Sequence, residues 1–180
     1  MMQKDLKKYC DHALANGAAH AKPIAPSSVI TAPWVRWKCQ FGCGGYDNSY
    51  CCPPHTPTDA ETRRVLDSYR RAILFHVETL PGPERAGLLK RFRTMLIDLE
   101  GEMFKDGYYK SFVFLAGPCS VCKACSKAAG EACRDRYKAR PAMEACGIDV
   151  FQTARNNGFH IETLRDETEP RNNFSLLLVD

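Results

Sequence analysis

Apolar residues recur with two different periods along this chain, and the two periods predict different elements. Leu6, Tyr9, Cys10, Ala13 and Leu14 share one helical face, predicting a helix over Gln3–Asn16 that stops at Gly17. Thr58 with Glu61 has the form of a capping box and opens a helix over Asp59–Arg70. The strongest helical face carries Leu88, Phe92, Met95, Leu96, Leu99 and Met103, and closes at Gly107. Asp149 with Gln152 caps a further helix ending near Gly158, and Pro141 suits the first turn of another.

Shorter apolar runs read as strands: Val29–Trp37, with Pro33 marking an edge or bulge, Ala72–Val77, Phe112–Leu115, Phe159–Leu164 and Phe174–Val179. Pro81, Gly82 and Pro83 form a turn. Helices and strands interleave without a strict period or internal repeat. The expected fold is α+β (mixed α/β), a small sheet with packed helices in a single domain over residues 1–180.

Two stretches obey neither period, Lys38–Pro57 and Gly117–Arg140, and both are rich in cysteine. Long irregular loops in a compact chain usually carry function. Cysteine is the compositional outlier, 10 of 180 residues, against an ordinary 44% hydrophobic and 26% charged content. The net charge of +4 is mild and demands neither nucleic acid nor a membrane surface. Lys4, Asp5, Lys7 and Lys8 interrupt any apolar leader, and no run is long enough to span a membrane. The expected location is cytoplasmic, where clustered cysteines mean metal or redox chemistry rather than disulfides.

Cys119, Cys122, Cys125 and Cys133 have the spacing C-x2-C-x2-C-x7-C. The first three match the ferredoxin run, in which a tight loop aims successive thiolates at one four-iron cubane. Zinc sites normally use cysteine pairs, so the third cysteine at this interval is surplus to a zinc knuckle. Cys133 either closes the same cubane over a longer loop or leaves the fourth place to another residue. Lys123, Lys127, Arg134, Arg136, Lys138 and Arg140 flank the run, either offsetting a cluster's negative charge or simply solvated.

Cys39, Cys43, Cys51 and Cys52 form the other group, with Gly42, Gly44 and Gly45 allowing tight backbone turns. Neighbouring side chains in extended chain point apart, so one of Cys51 and Cys52 is expected to bind here, and Pro53 favours Cys52. The other serves the second centre or stays free; a redox-active vicinal disulfide is a minority alternative. His55 reads as a solvated loop histidine before a nitrogen ligand. Cys10 reads as a buried thiol, and Cys146 as core or a neighbour of a cluster.

The order K-C-x3-C, C-P-P, G-P-C-x2-C-x2-C, C-R and R-P-x-M-E-A-x-G-I-D-V, over Ala18–Phe159, resembles a family of predicted metal-binding proteins, domain of unknown function 2284. The pieces are Cys39 and Cys43, Cys52-Pro53-Pro54, Gly117–Cys125, Cys133-Arg134 and Arg140–Val150. The resemblance implies metal, and by its cysteine pattern iron–sulfur, but no reaction. Physically, the Arg140 stretch is a helix start able to aim its guanidinium at a cluster or an anion.

Three functions compete. Eight cysteines supply two 4Fe–4S clusters of an electron carrier or redox accessory module with a redox partner protein. An open iron at the first cluster would instead make an enzyme. A zinc-stapled interaction module is the third; its basic and aromatic residues do not interleave as in a nucleic-acid binder.

Overall fold

A computed structural model describes residues 5–180 of the chain, so Gln3 and Lys4 of the expected first helix lie outside the described residues. Four strands form one antiparallel sheet: β1 (His20–Ile24), β2 (Ala72–Thr79), β3 (Phe112–Phe114) and β4 (Arg171–Leu178), in the spatial order β1-β2-β4-β3. Among the helices, α1 (Lys7–Ala15) and α4 (Arg85–Lys105) cover one face. Leu6, Tyr9 and Ala13 pack there with Phe92, Leu96, Leu99 and Met103 against Ile73, Phe75, Val77 and Leu177. The opposite face holds Leu74, Phe174, Leu176 and Leu178 against Leu66 of α3 (Asp59–Asp67), Ala154 of α5 (Val150–Asn156), and Met143 and Ile148 between them.

Covering both faces explains the central strand. β2 is buried at every position except Glu78, so it is apolar from Ala72 to Phe75 without alternation. The expected α+β class holds. Thr58 and Glu61 do make the capping box: Glu61 N–H donates to Thr58 Oγ1 at 3.2 Å and Thr58 N–H to Glu61 Oε2 at 2.8 Å. Asp149 accepts from Gln152 N–H at 2.9 Å and starts α5. Gly107 takes φ +98° just beyond α4, a conformation that only glycine adopts cheaply.

Four expectations fail for local reasons. Residues 29–37 are not a strand: Pro33 opens α2 (Pro33–Gly42), its missing N–H costing nothing in a first helical turn. The helix thereby takes in the first five residues of the supposed 38–57 loop. Pro141 starts no helix, because its carbonyl accepts Leu115 N–H at 2.9 Å and Ala142 bridges to Leu115 in extended form. The turn that follows is a single 3₁₀ turn, Glu144–Cys146. Phe159–Leu164 finds no strand partner and is anchored through buried Ile161. β1 was not foreseen at all; it is an edge strand containing Pro23, which a sheet interior would not accept. Among the described residues, no helix is long and apolar enough to cross a membrane.

Candidate metal centre

Helical spacing sets the first pair of thiols. Cys39 lies in the last two turns of α2 and Cys43 one turn further on at its end, so both fall on one side. The chain then turns tightly: Tyr46 N–H donates to Cys43 O at 3.1 Å and Asn48 Nδ2 to Gly44 O at 2.6 Å. Gly45 N–H points at Cys43 Sγ, 3.4 Å away. Arg36, one turn before Cys39, holds this region to the rest of the fold. Its Nη1 donates to Thr56 O, Pro57 O and Ala145 O at 3.2, 2.7 and 2.8 Å. That clamp draws α2, the Cys-Pro-Pro segment and the 144–146 turn together, and it puts Cys39 within charge reach of Cys43, Cys52 and Glu144.

Cys51 faces elsewhere. Its thiol donates to Cys119, and its next charged neighbours are Cys133 and Cys52. Cys119 also receives the backbone N–H groups of Val121 and Arg140, with the Arg93 guanidinium close by. The Cys51 hydrogen bond, the two amides and Arg93 outweigh burial and bring the Cys119 thiol down to about 6, while the same bond and burial push Cys51 far up. A cavity of about 230 Å³ is lined by Cys51, Cys52, Cys119, Cys122, Cys125 and Cys133 together.

Two side chains tie the cysteine loops to each other. Lys127 Nζ donates to Asp47 O at 2.6 Å and pairs with Asp47 Oδ1 at 2.8 Å. Tyr50 Oη donates to Glu131 O at 2.8 Å. His55 bonds Asp47 Oδ1 through Nε2 at 2.7 Å, so it is engaged by a carboxylate rather than turned to the thiols. Lys127 first, then His55, hold the Asp47 carboxyl below its usual range. Of the basic flank, Arg140 is largely buried on Glu100 and Arg134 pairs at the surface with Glu131. The Arg140 guanidinium is thus held on a carboxylate, with Cys51 within charge reach.

A second cavity, about 390 Å³, opens beside Cys39 and Cys43. Glu144 lies on its wall; the residue is exposed, yet desolvation by the protein around its carboxyl raises it above the usual range. Arg36, Asp47, Glu100, Glu144 and this cavity were all missed from sequence. Only Glu100 left a signal, as a carboxylate on the otherwise apolar face of α4.

None of the ten cysteines is in a disulfide. Cys10 and Cys146 are buried in the two cores, where burial pushes their thiols up to about 11 and about 12. Among the described residues, no three His, Cys, Asp or Glu side chains converge closely enough to hold a single metal ion. The thiols stand around a space instead of meeting at a point. No curated protein and no solved structure matches the chain significantly. The family model described as predicted metal-binding protein (DUF2284) matches residues 22–179, and the chain belongs to that family.

Proposed function

We propose that this protein binds two four-iron cubanes and works as an electron-transfer or redox accessory module. The observation that carries the reading is that the adjacent residues Cys51 and Cys52 have different thiol neighbours: Cys51 donates to Cys119, while Cys52, which also borders the 230 Å³ space, lies within charge reach of Cys39. Cys39, Cys43 and Cys52 would hold one cluster. Cys119, Cys122, Cys125 and Cys133 would hold the other, with Cys51 at its edge. The two centres then lie on either side of one peptide bond, a short route for an electron.

The donor set fits such a group. Six thiols line one 230 Å³ space without converging, and soft thiolates favour iron–sulfur or zinc over harder metals. A cubane supplies reversible one-electron chemistry, at a potential tuned by hydrogen bonds to sulfur, local charge and solvent exposure. This chain provides those controls: the amides of Val121 and Arg140 and the charge of Arg93 act at Cys119. The redox partner protein would approach α2, where Trp37 and Phe41 are exposed on the helix that bears Cys39.

A second reading, an enzyme with an open iron, is favoured by one observation. The first group has three thiols, and two of them border the 390 Å³ cavity.

Anaerobically purified protein tests both. About eight irons and eight sulfides per chain are expected. Cys52→Ser should empty the first centre, and Cys51→Ser should disturb the second, with electron paramagnetic resonance distinguishing them. Stoichiometric zinc without sulfide would refute the iron–sulfur reading.

A further inference from the structure

We infer that the cavity beside Cys39 and Cys43 is a binding site for a small carboxylate with an apolar body. Its volume, about 390 Å³, is in the range of small-molecule sites. The walls are apolar on three sides: Trp34 and Val35 from α2, Ile148 and Phe151 around the start of α5, and Ile161 and Leu164 from the segment before β4. Such walls give a ligand's hydrocarbon part a surface to bury and leave few polar groups to desolvate.

The polar groups decide the other end. Arg171, the first residue of β4, brings its guanidinium to the lining, and Lys38 adds a second cation. Neither side chain makes a hydrogen bond or ion pair among the described residues, and the Nε of Arg171 is buried without a partner. A guanidinium left unpaired on an apolar wall is costly, and its fork geometry matches a carboxylate. Three carboxyl groups share the lining, and each has a place of its own. Asp149 accepts the Gln152 N–H that starts α5, and Glu162 stands 3.8 Å from His160. Glu144 belongs to the thiol end, within charge reach of Cys39.

The ligand's carboxylate is thus held at Arg171, while Cys39, Cys43 and Glu144 border another part of the same cavity. Any chemistry on the bound carboxylate rests on the second reading of the first metal centre; binding rests on the cavity alone.

Isothermal titration of the anaerobically purified full chain with phenylacetate, and with neutral phenylacetamide, tests the inference. Phenylacetate should bind at least about tenfold more tightly than the amide, and Arg171→Met should erase that difference while leaving amide binding unchanged. Phe151→Ala should weaken both ligands alike. Arg171→Met removes no hydrogen bond and relieves an unpaired buried nitrogen, so its thermal midpoint should be no lower than the parent's. Equal affinities for the two ligands, no binding of phenylacetate, or an unchanged preference in Arg171→Met would overturn the inference. Metal and sulfide measured on the same samples keep the two questions apart: a chain carrying stoichiometric zinc and no sulfide that still prefers phenylacetate refutes the iron–sulfur reading and upholds the site.

Discussion

Arg140 closes a bidentate ion pair on Glu100, 40 residues away in sequence, donating from Nε to Oε2 at 2.9 Å and from Nη2 to Oε1. The same carboxylate accepts Val113 N–H at 2.8 Å, so it joins α4, β3 and the end of the second cysteine loop at one point. Arg140 in turn offers its backbone N–H to Cys119. The pair is the mechanical link between the helical face of the sheet and the thiols.

Removing one partner should therefore be severe. Arg140→Met leaves the nearly buried Glu100 carboxylate without its counter-charge, at a cost of about 3–5 kcal/mol. Urea unfolding measures it. An unchanged midpoint would mean that the pair contributes nothing net.

Cys119 should be the most readily alkylated cysteine of the metal-free, reduced protein. Only the thiolate reacts, so its rate with iodoacetamide should rise with pH around a midpoint of about 6. Cys51→Ala deletes the thiol that donates to it and should move that midpoint up toward the ordinary cysteine range. Mass spectrometry of labelled peptides provides the profile, and a midpoint insensitive to Cys51→Ala would remove Cys51 as the cause.

Stability should fall as the medium is acidified, with His76 as one source. Its Nδ1 faces His20 Nδ1 at 3.0 Å and its Nε2 bonds Asn172 Oδ1 at 2.7 Å. Burial, only partly offset by the Asn172 bond, holds its pKa below the usual 6.5. Between that lowered value and the unfolded one, the unfolded chain binds more protons. The contribution is thus complete above the unfolded pKa and is lost as pH falls toward the folded one. Urea midpoints between about pH 7 and pH 5 should decline in the parent and decline less in His76→Gln.

Gly147→Ala should destabilise far more than Gly17→Ala, although both glycines have positive φ, +77° and +101°. A Cβ at 147 would stand 2.6 Å from Asp59 Cβ and 2.8 Å from its Cα, backbone that cannot move without shifting α3. A Cβ at 17 meets nothing within 4 Å. Strain alone costs about 1–3 kcal/mol at either site, and the clash adds roughly 1–3 kcal/mol at 147. Equal thermal midpoints for the two variants would show that the backbone near Asp59 gives way.

Elements whose causes are local were legible along the chain. The Thr58–Glu61 box, the Asp149 cap and the spaced apolar face of α4 each depend on residues within a turn or two, so their signals sit side by side in the chain. The apolar run Ala72–Phe75 marked β2 as a strand for the same reason, while the cover on both its faces came only with packing. Where two local signals competed, the reading failed: Pro33 fits a strand edge and a helix start equally, and only packing of Val35 into the structure settles it. β1 is held by pairing with β2, whose partner residues lie 48 to 56 positions away, and its own pattern is weak. The thiols follow the same division. Spacing marked the two cysteine groups, because ligands a few residues apart share a loop. It did not say that Cys51 turns to Cys119, or that Cys52 borders the same 230 Å³ space while lying within charge reach of Cys39. That arrangement depends on Arg36, on Lys127 reaching Asp47, and on Arg140 reaching Glu100. These contacts cross 20 to 109 residues of chain, and they exist only once the sheet and helices have brought their partners together.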